Sequence, residues 1–169
     1  MAIIRFGSHG WRARQDSGFD RRNVLRIAYA AGSIWASRGE GATVLVGYDV
    51  RLGCEQLAVA AGEVIASCGM QVVVSDGACP TPTLAWQVAQ RPVCVGGLML
   101  TAGDAPCEYG GVVVLGADGG PMDEGFVDLV ERKIAGRLPA QRGEVQREDF
   151  VAAHMHHLVW QTDTQLVCS

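Results

Sequence analysis

The sequence predicts an α/β fold, a three-layer α/β/α sandwich, on two observations. Apolar stretches of strand length alternate along the chain with stretches of helical periodicity. The strand stretches are apolar on both sides, as in a sheet covered by helices on both faces. Size agrees with one such domain: a chain of 169 residues, 49% of them hydrophobic, can bury a sizeable core.

Each element follows from its local pattern. Ala2 to Phe6 is short and apolar, and Gly7 to Gly18 carries so many glycines and charges that it reads as a loop. Asp20 is placed to cap a helix with Val24, Ile27, Ala28, Ala31, Ile34 and Trp35 on one face, stopped at Gly39 to Gly41. Thr43 to Tyr48 is β-branched and apolar, a buried strand. A second helix has Leu57, Ala61, Val64, Ile65 and Cys68 inward and Gly69 as its stop. Gln71 to Val74 is the next strand, Pro82 to Gln90 a short helix opened by proline, and Val93 to Leu100 a further strand. Val112 to Leu115, followed by the turn residues 116–120, reads as a strand running back antiparallel. Met122 to Ala135 is a helix with Phe126, Leu129, Val130 and Ile134 inward. Residues 137–148 are polar, with Pro139 and Gly143, and read as a linker. A last helix, Glu148 to Gln161, has Phe150, Val151, Met155, Leu158, Val159 and Trp160 on or beside its apolar face.

Composition excludes several functions. A formal charge of -4 and a pI near 5.5 lack the Lys and Arg excess that neutralises phosphates, so no nucleic-acid surface is expected. No apolar run approaches the roughly 20 residues that span a bilayer. Met1 to Phe6 is too short for a secretion signal, and the expected location is the cytoplasm. The six cysteines are scattered without a Cys-x-x-Cys pair, which favours free thiols over disulfides or zinc; Cys107 is the exposed-loop candidate for reactivity. His154, His156 and His157 lack a carboxylate to complete a metal set and read as a hydrated helix surface, as do Arg21, Arg22, Arg26 and Arg38 with Asp16 and Asp20.

Four motifs stand in a recognisable order. They are Phe6-Gly7-Ser8-His9-Gly10-Trp11-Arg12-Ala13, then Gly47-Tyr48-Asp49-Val50-Arg51, then Asp76-Gly77-Ala78-Cys79-Pro80-Thr81-Pro82-Thr83, and finally residues 98–113, which hold Thr101-Ala102-Gly103-Asp104-Ala105-Pro106-Cys107-Glu108-Tyr109-Gly110-Gly111-Val112-Val113. The last resembles the serine loop of the α-D-phosphohexomutases (phosphoglucomutase, phosphomannomutase and phosphoglucosamine mutase), Thr-Ala-Ser-His-Asn-Pro-Pro-Glu-Tyr-Asn-Gly-Ile-Lys. The first three are similar to the same family's Phe-Gly-Thr-Asp-Gly-Trp-Arg-Gly opening, its Gly-Tyr-Asp-Thr-Arg strand end and its Pro-Thr-Pro turn. The resemblance implies the first of the family's four domains, over residues 1–136, with 137–169 a linker and helix leading toward a second domain. It also implies a mixed, mostly parallel sheet with one antiparallel strand.

In such an enzyme a phosphoserine donates a phosphoryl group, magnesium neutralises the moving charge and a lysine moves a proton. Thr101, Ala102, Pro106, Glu108, Tyr109 and Gly111 fit the loop pattern, but the serine position holds Gly103, Asp104 and Ala105 replace the His-Asn pair, and Val113 replaces the lysine. The only lysine in the chain is Lys133. His9 stands where the family has aspartate, and the family's aspartate-rich metal loop, which belongs to its second domain, has no counterpart. No cofactor is therefore expected for this chain. Thr101 is expected to shape the loop, and Asp104 to be solvated rather than to carry an acyl phosphate or to imitate a phosphoserine's charge and attract a divalent cation. Arg12 either contacts an anion, with Thr101 beside it, or pairs with Asp49, Asp104 or Glu108. Gly103→Ser should be tolerated within about 1 kcal/mol provided the position does not need a positive φ.

The expected function is that of a non-catalytic domain with a remnant phosphate or sugar-phosphate contact, acting by association with a second copy or a catalytic relative. The alternative is one piece of a sugar-phosphate mutase completed by further domains.

Overall fold

The structure, a computed structural model, describes residues 4–7, 10–39, 41–134 and 138–162. Ala2, Ser8, His9, Ala135 and Cys168 lie outside the described residues, so the readings that fall on them have no structural counterpart here.

Thr43–Tyr48 (β2) is buried along its whole length, as its unbroken apolar run requires. Its side chains alternate: Val44, Val46 and Tyr48 enter one core, whereas Leu45 enters another. Beside it lie Gln71–Ser75 (β3) and Cys94–Leu100 (β4), both parallel to β2. Tyr109–Gly116 (β5) returns antiparallel to β4. With Trp11–Arg14 (β1) and Gln146–Glu148 (β6) the order is β1-β5-β4-β2-β3-β6, and among the described residues β5 alone runs against its neighbours, so the sheet is mixed and mostly parallel.

Helices cover both faces. Arg21–Arg38 (α1), Cys54–Ala66 (α2) and Glu124–Lys133 (α4) share the larger core with Val72, Val74, Leu98, Leu100, Val112 and Val114. Asp20 caps α1 by accepting from the Asn23 amide at 2.7 Å, as the sequence predicts. Thr81–Ala89 (α3) and Phe150–Gln161 (α5) cover the opposite face, where Leu84, Val88, Met99, Leu115 and Phe150 form the second core.

Several details depart from the sequence reading. The stretch 7–18 is not all loop: Trp11–Arg14 (β1) pairs antiparallel with β5 at the sheet edge, which satisfies the backbone groups facing β5, and Trp11 packs on Phe19 with ring centroids 6.0 Å apart. The polar stretch 137–148 contains Gln146–Glu148 (β6), the sixth strand, parallel to β3. Arg147 holds it there by donating to the Glu55 and Asp76 carboxylates and to the Asp76 carbonyl. Leu138 and Val145 pack on the larger core and the Gly143 amide donates to the Glu63 carbonyl, so residues 138–145 are laid against the helical layer rather than spanning solvent. Arg26 is buried, donating to the Ile134 carbonyl and the Asn23 side chain, and burial pulls its guanidinium below the ordinary arginine range. Leu129 lies on the rim of α4, exposed while Phe126 and Val130 are buried. His154 and His157 are half-buried rather than freely hydrated: both rings pack on Trp86, at 5.1 and 4.9 Å, and His154 Nδ1 lies 2.9 Å from the Thr83 hydroxyl, while His156 is exposed.

Candidate functional site

In α/β sheets, ligands gather beyond the carboxyl ends of parallel strands where successive crossovers take opposite faces. That point falls between β2 and β4, since α2 follows β2 on one face and α3 precedes β4 on the other. Two loops meet there: residues 49–53 after β2, and residues 101–108, the hairpin that joins β4 to β5.

The 101–108 loop is built from its own backbone first. Thr101 is 7% exposed, and its hydroxyl accepts from the Gly103 amide at 3.0 Å, which turns the chain sharply at the strand end. The Thr101 hydroxyl is thereby held by the loop's own backbone. Gly103 sits at φ +59, in the left-handed region. A Cβ on Gly111 would lie 2.6 Å from the carbonyl oxygens of Thr101 and Trp11, so only glycine lets β1 and β4 approach β5 here.

Arg12 reaches the loop from β1. Its Nη1 donates to Asp104 at 3.0 Å, the second of the three partners the sequence offered. Asp104's side chain is 92% exposed, so this pair is a surface interaction of modest strength. Arg12 Nη2 lies 2.8 Å from where a Cβ on residue 103 would be. Asp104 therefore supplies an internal anion to Arg12.

Arg51 is the residue whose role the motif did not disclose. Its Nη1 donates to the carbonyls of Pro106 at 2.8 Å and Tyr109 at 3.1 Å, and its Nη2 to those of Gly103 at 2.9 Å and Ala105 at 2.7 Å. Its Nε donates to Asp49 at 3.2 Å, while the other Asp49 oxygen accepts from the Arg51 amide at 3.0 Å. Behind this pair, burial and the neighbouring Asp49 charge push the Cys54 thiol up to about 12, which keeps it protonated and inert. Burial likewise raises Cys68, Cys79 and Cys94, and all five described cysteines, exposed Cys107 among them, are free.

An open cleft of about 800 Å³ lies over the two loops, bordered by Asp49, Val50, Leu52, Ala105, Cys107 and Glu108. Val113 lies within β5, outside the loop. It pairs with Met99, is half-buried on the face that carries the second core, and shares that face with Arg12. Lys133 is on α4, which packs against α1 on the other face. Among the described residues no three His, Cys, Asp or Glu side chains are grouped to hold a metal ion, so the residues here do not fit the magnesium that the family resemblance implies. No helix of the described residues is long and apolar enough to cross a membrane.

Residues 4–139 match the family described as phosphoglucomutase/phosphomannomutase, alpha/beta/alpha domain I. The chain is 30% identical to the phosphoglucosamine mutase of Trichormus variabilis over 135 residues, which are 79% of this chain and 27% of that protein. With the phosphoglucosamine mutase of Rhodococcus jostii the identity is 31% over 133 residues, 78% of this chain and 29% of the relative. The chain thus spans less than a third of these curated relatives. Among solved structures, a candidate phosphomannomutase from Thermus thermophilus superposes with a TM-score of 0.89 at 32% identity, covering 97% of this chain and 37% of that one. The Paramecium phosphoglucomutase parafusin, at 16% identity and a TM-score of 0.72 over 96% of this chain and 37% of its own, shares the fold. With the strand order, the loop at the end of β4 and the matched span all in agreement, the chain belongs to the phosphohexomutase superfamily, as its N-terminal domain I.

Proposed function

We propose that this domain I does not transfer phosphoryl groups by itself and acts instead by association, keeping a weak anion contact at Arg12. One observation carries the reading. The position matched to the family's phosphoserine is Gly103, and the space its side chain would enter lies against the Arg12 guanidinium, already paired with Asp104. Glycine offers no oxygen to carry a phosphoryl group. Val113 moves no proton, and Lys133 is on α4, which covers the opposite face of the sheet. A phosphate or sugar phosphate reaching the loop would compete with Asp104 for Arg12. A cytoplasmic location belongs to the same proposal.

The test is a mutase assay with glucose 1-phosphate and mannose 1-phosphate, together with phosphate uptake from a bisphosphorylated sugar. Wild type should show no turnover and no covalent phosphate. Stoichiometric incorporation would overturn the reading.

A second reading is favoured by the share of the relatives that the chain spans, 27 to 29%, and by the uncovered outer face of α5. In it the chain is one part of a sugar-phosphate mutase, with 137–169 leading into a second domain that brings the magnesium ligands. Turnover by a longer chain that still has glycine at position 103 would establish it.

A further inference from the structure

We infer that Arg51 is the positioning residue of this site: one guanidinium, oriented by Asp49, fixes the backbone of residues 103–109 and thereby sets where residue 103 faces Arg12. A guanidinium has five N–H donors in a planar fork. All five of Arg51's are engaged, one with the Asp49 carboxylate and four with the carbonyls of residues 103, 105, 106 and 109. Four carbonyl dipoles turned toward one point repel one another unless a cation sits among them, and Arg51 is that cation.

The setting makes these bonds count. The Arg51 and Asp49 side chains are 13% and 20% exposed, far more sheltered than the Arg12–Asp104 pair on the rim. Asp49 grips both the Nε and the backbone amide of Arg51, which holds the fork in plane. The peptides flanking Gly103 are then fixed from two sides, its amide by the Thr101 hydroxyl and its carbonyl by Arg51.

Two consequences follow. The loop's shape needs no phosphoryl group, metal ion or side chain at position 103. Nor does Arg51, although it lines the cleft, keep a donor for an incoming anion, since all five are committed; the anion contact left beside the loop is Arg12. The inference concerns the loop backbone and stands whether or not the chain transfers phosphate.

The experiment is amide hydrogen exchange on the full chain, read at Gly103, Ala105 and Tyr109, whose amides donate to the Thr101 hydroxyl and to the Ala102 and Pro106 carbonyls. Arg51→Lys keeps the charge but lacks the fork, and should speed exchange at these amides by on the order of tenfold or more, with β2 and α1 unchanged. In Arg51→Ala, low-millimolar ethylguanidinium should restore protection and ethylammonium should not. Unchanged exchange in Arg51→Lys would overturn the inference. So would equal acceleration throughout the protein, or rescue of Arg51→Ala by both cations alike. Should Arg51→Ala fail to fold, Arg51→Lys decides alone.

Discussion

At Gly103 a side chain is gone while the backbone keeps a conformation that glycine favours. Its φ of +59 voids the condition under which serine was expected to be tolerated there. An L side chain in the left-handed region costs roughly 1–2 kcal/mol, and the Arg12 guanidinium, a flexible end only 2.8 Å from the new Cβ, must also give way. Gly103→Ser should therefore lower stability by about 1–2 kcal/mol in denaturant melts, and Gly103→Asn by less, because asparagine enters that region more readily. A serine variant as stable as wild type would show that the loop relaxes to negative φ. Thr101, Arg12 and Gly103 were legible in the sequence because their place depends on motif order. Arg51 was in view as part of a motif, yet its job was not, because its four loop partners are backbone carbonyls and leave no trace in residue identity.

At the level of elements, legibility followed burial. β2, α1 and α2 declare themselves, since a run buried on both faces or along one helical stripe leaves a strong periodic signal. The edge strands do not. β6 is exposed at all three residues and owes its place to Arg147 and to pairing with β3, and β1 is an alternating stretch among glycines. α5 lies between these cases: its helical pattern was plain, but the partner of its inner face was not. Phe150 is wholly buried in the second core, its carbonyl accepts from Gln87 Nε2 at 3.0 Å, and Arg91 covers its ring at 5.5 Å. Phe150→Ala should cost about 3–5 kcal/mol and loosen α5 from α3. Tryptophan emission reports the second effect, because Trp86 lies under His154 and His157. Loss of stability with unchanged emission would mean that α5 is held by its histidines rather than by Phe150.

On the scale of the whole molecule, the outer face of α5 is apolar and exposed. Met155, Val159 and Trp160 are 52%, 59% and 78% exposed, and Leu158 stands beside them. Helix α5 carries no Asp, Glu, Lys or Arg, so an identical face from a second copy would meet it without like-charge repulsion. A patch of this kind marks an association surface more often than a bare exterior. The proposal of association then takes a definite form, a symmetric homodimer through α5. Sedimentation at micromolar concentration should show a dimer that Leu158→Glu dissociates, with little change in the stability of each subunit because Leu158 is not in the core. A wild-type monomer that Leu158→Glu leaves unchanged would remove self-association and leave the face to the further domains of a longer mutase.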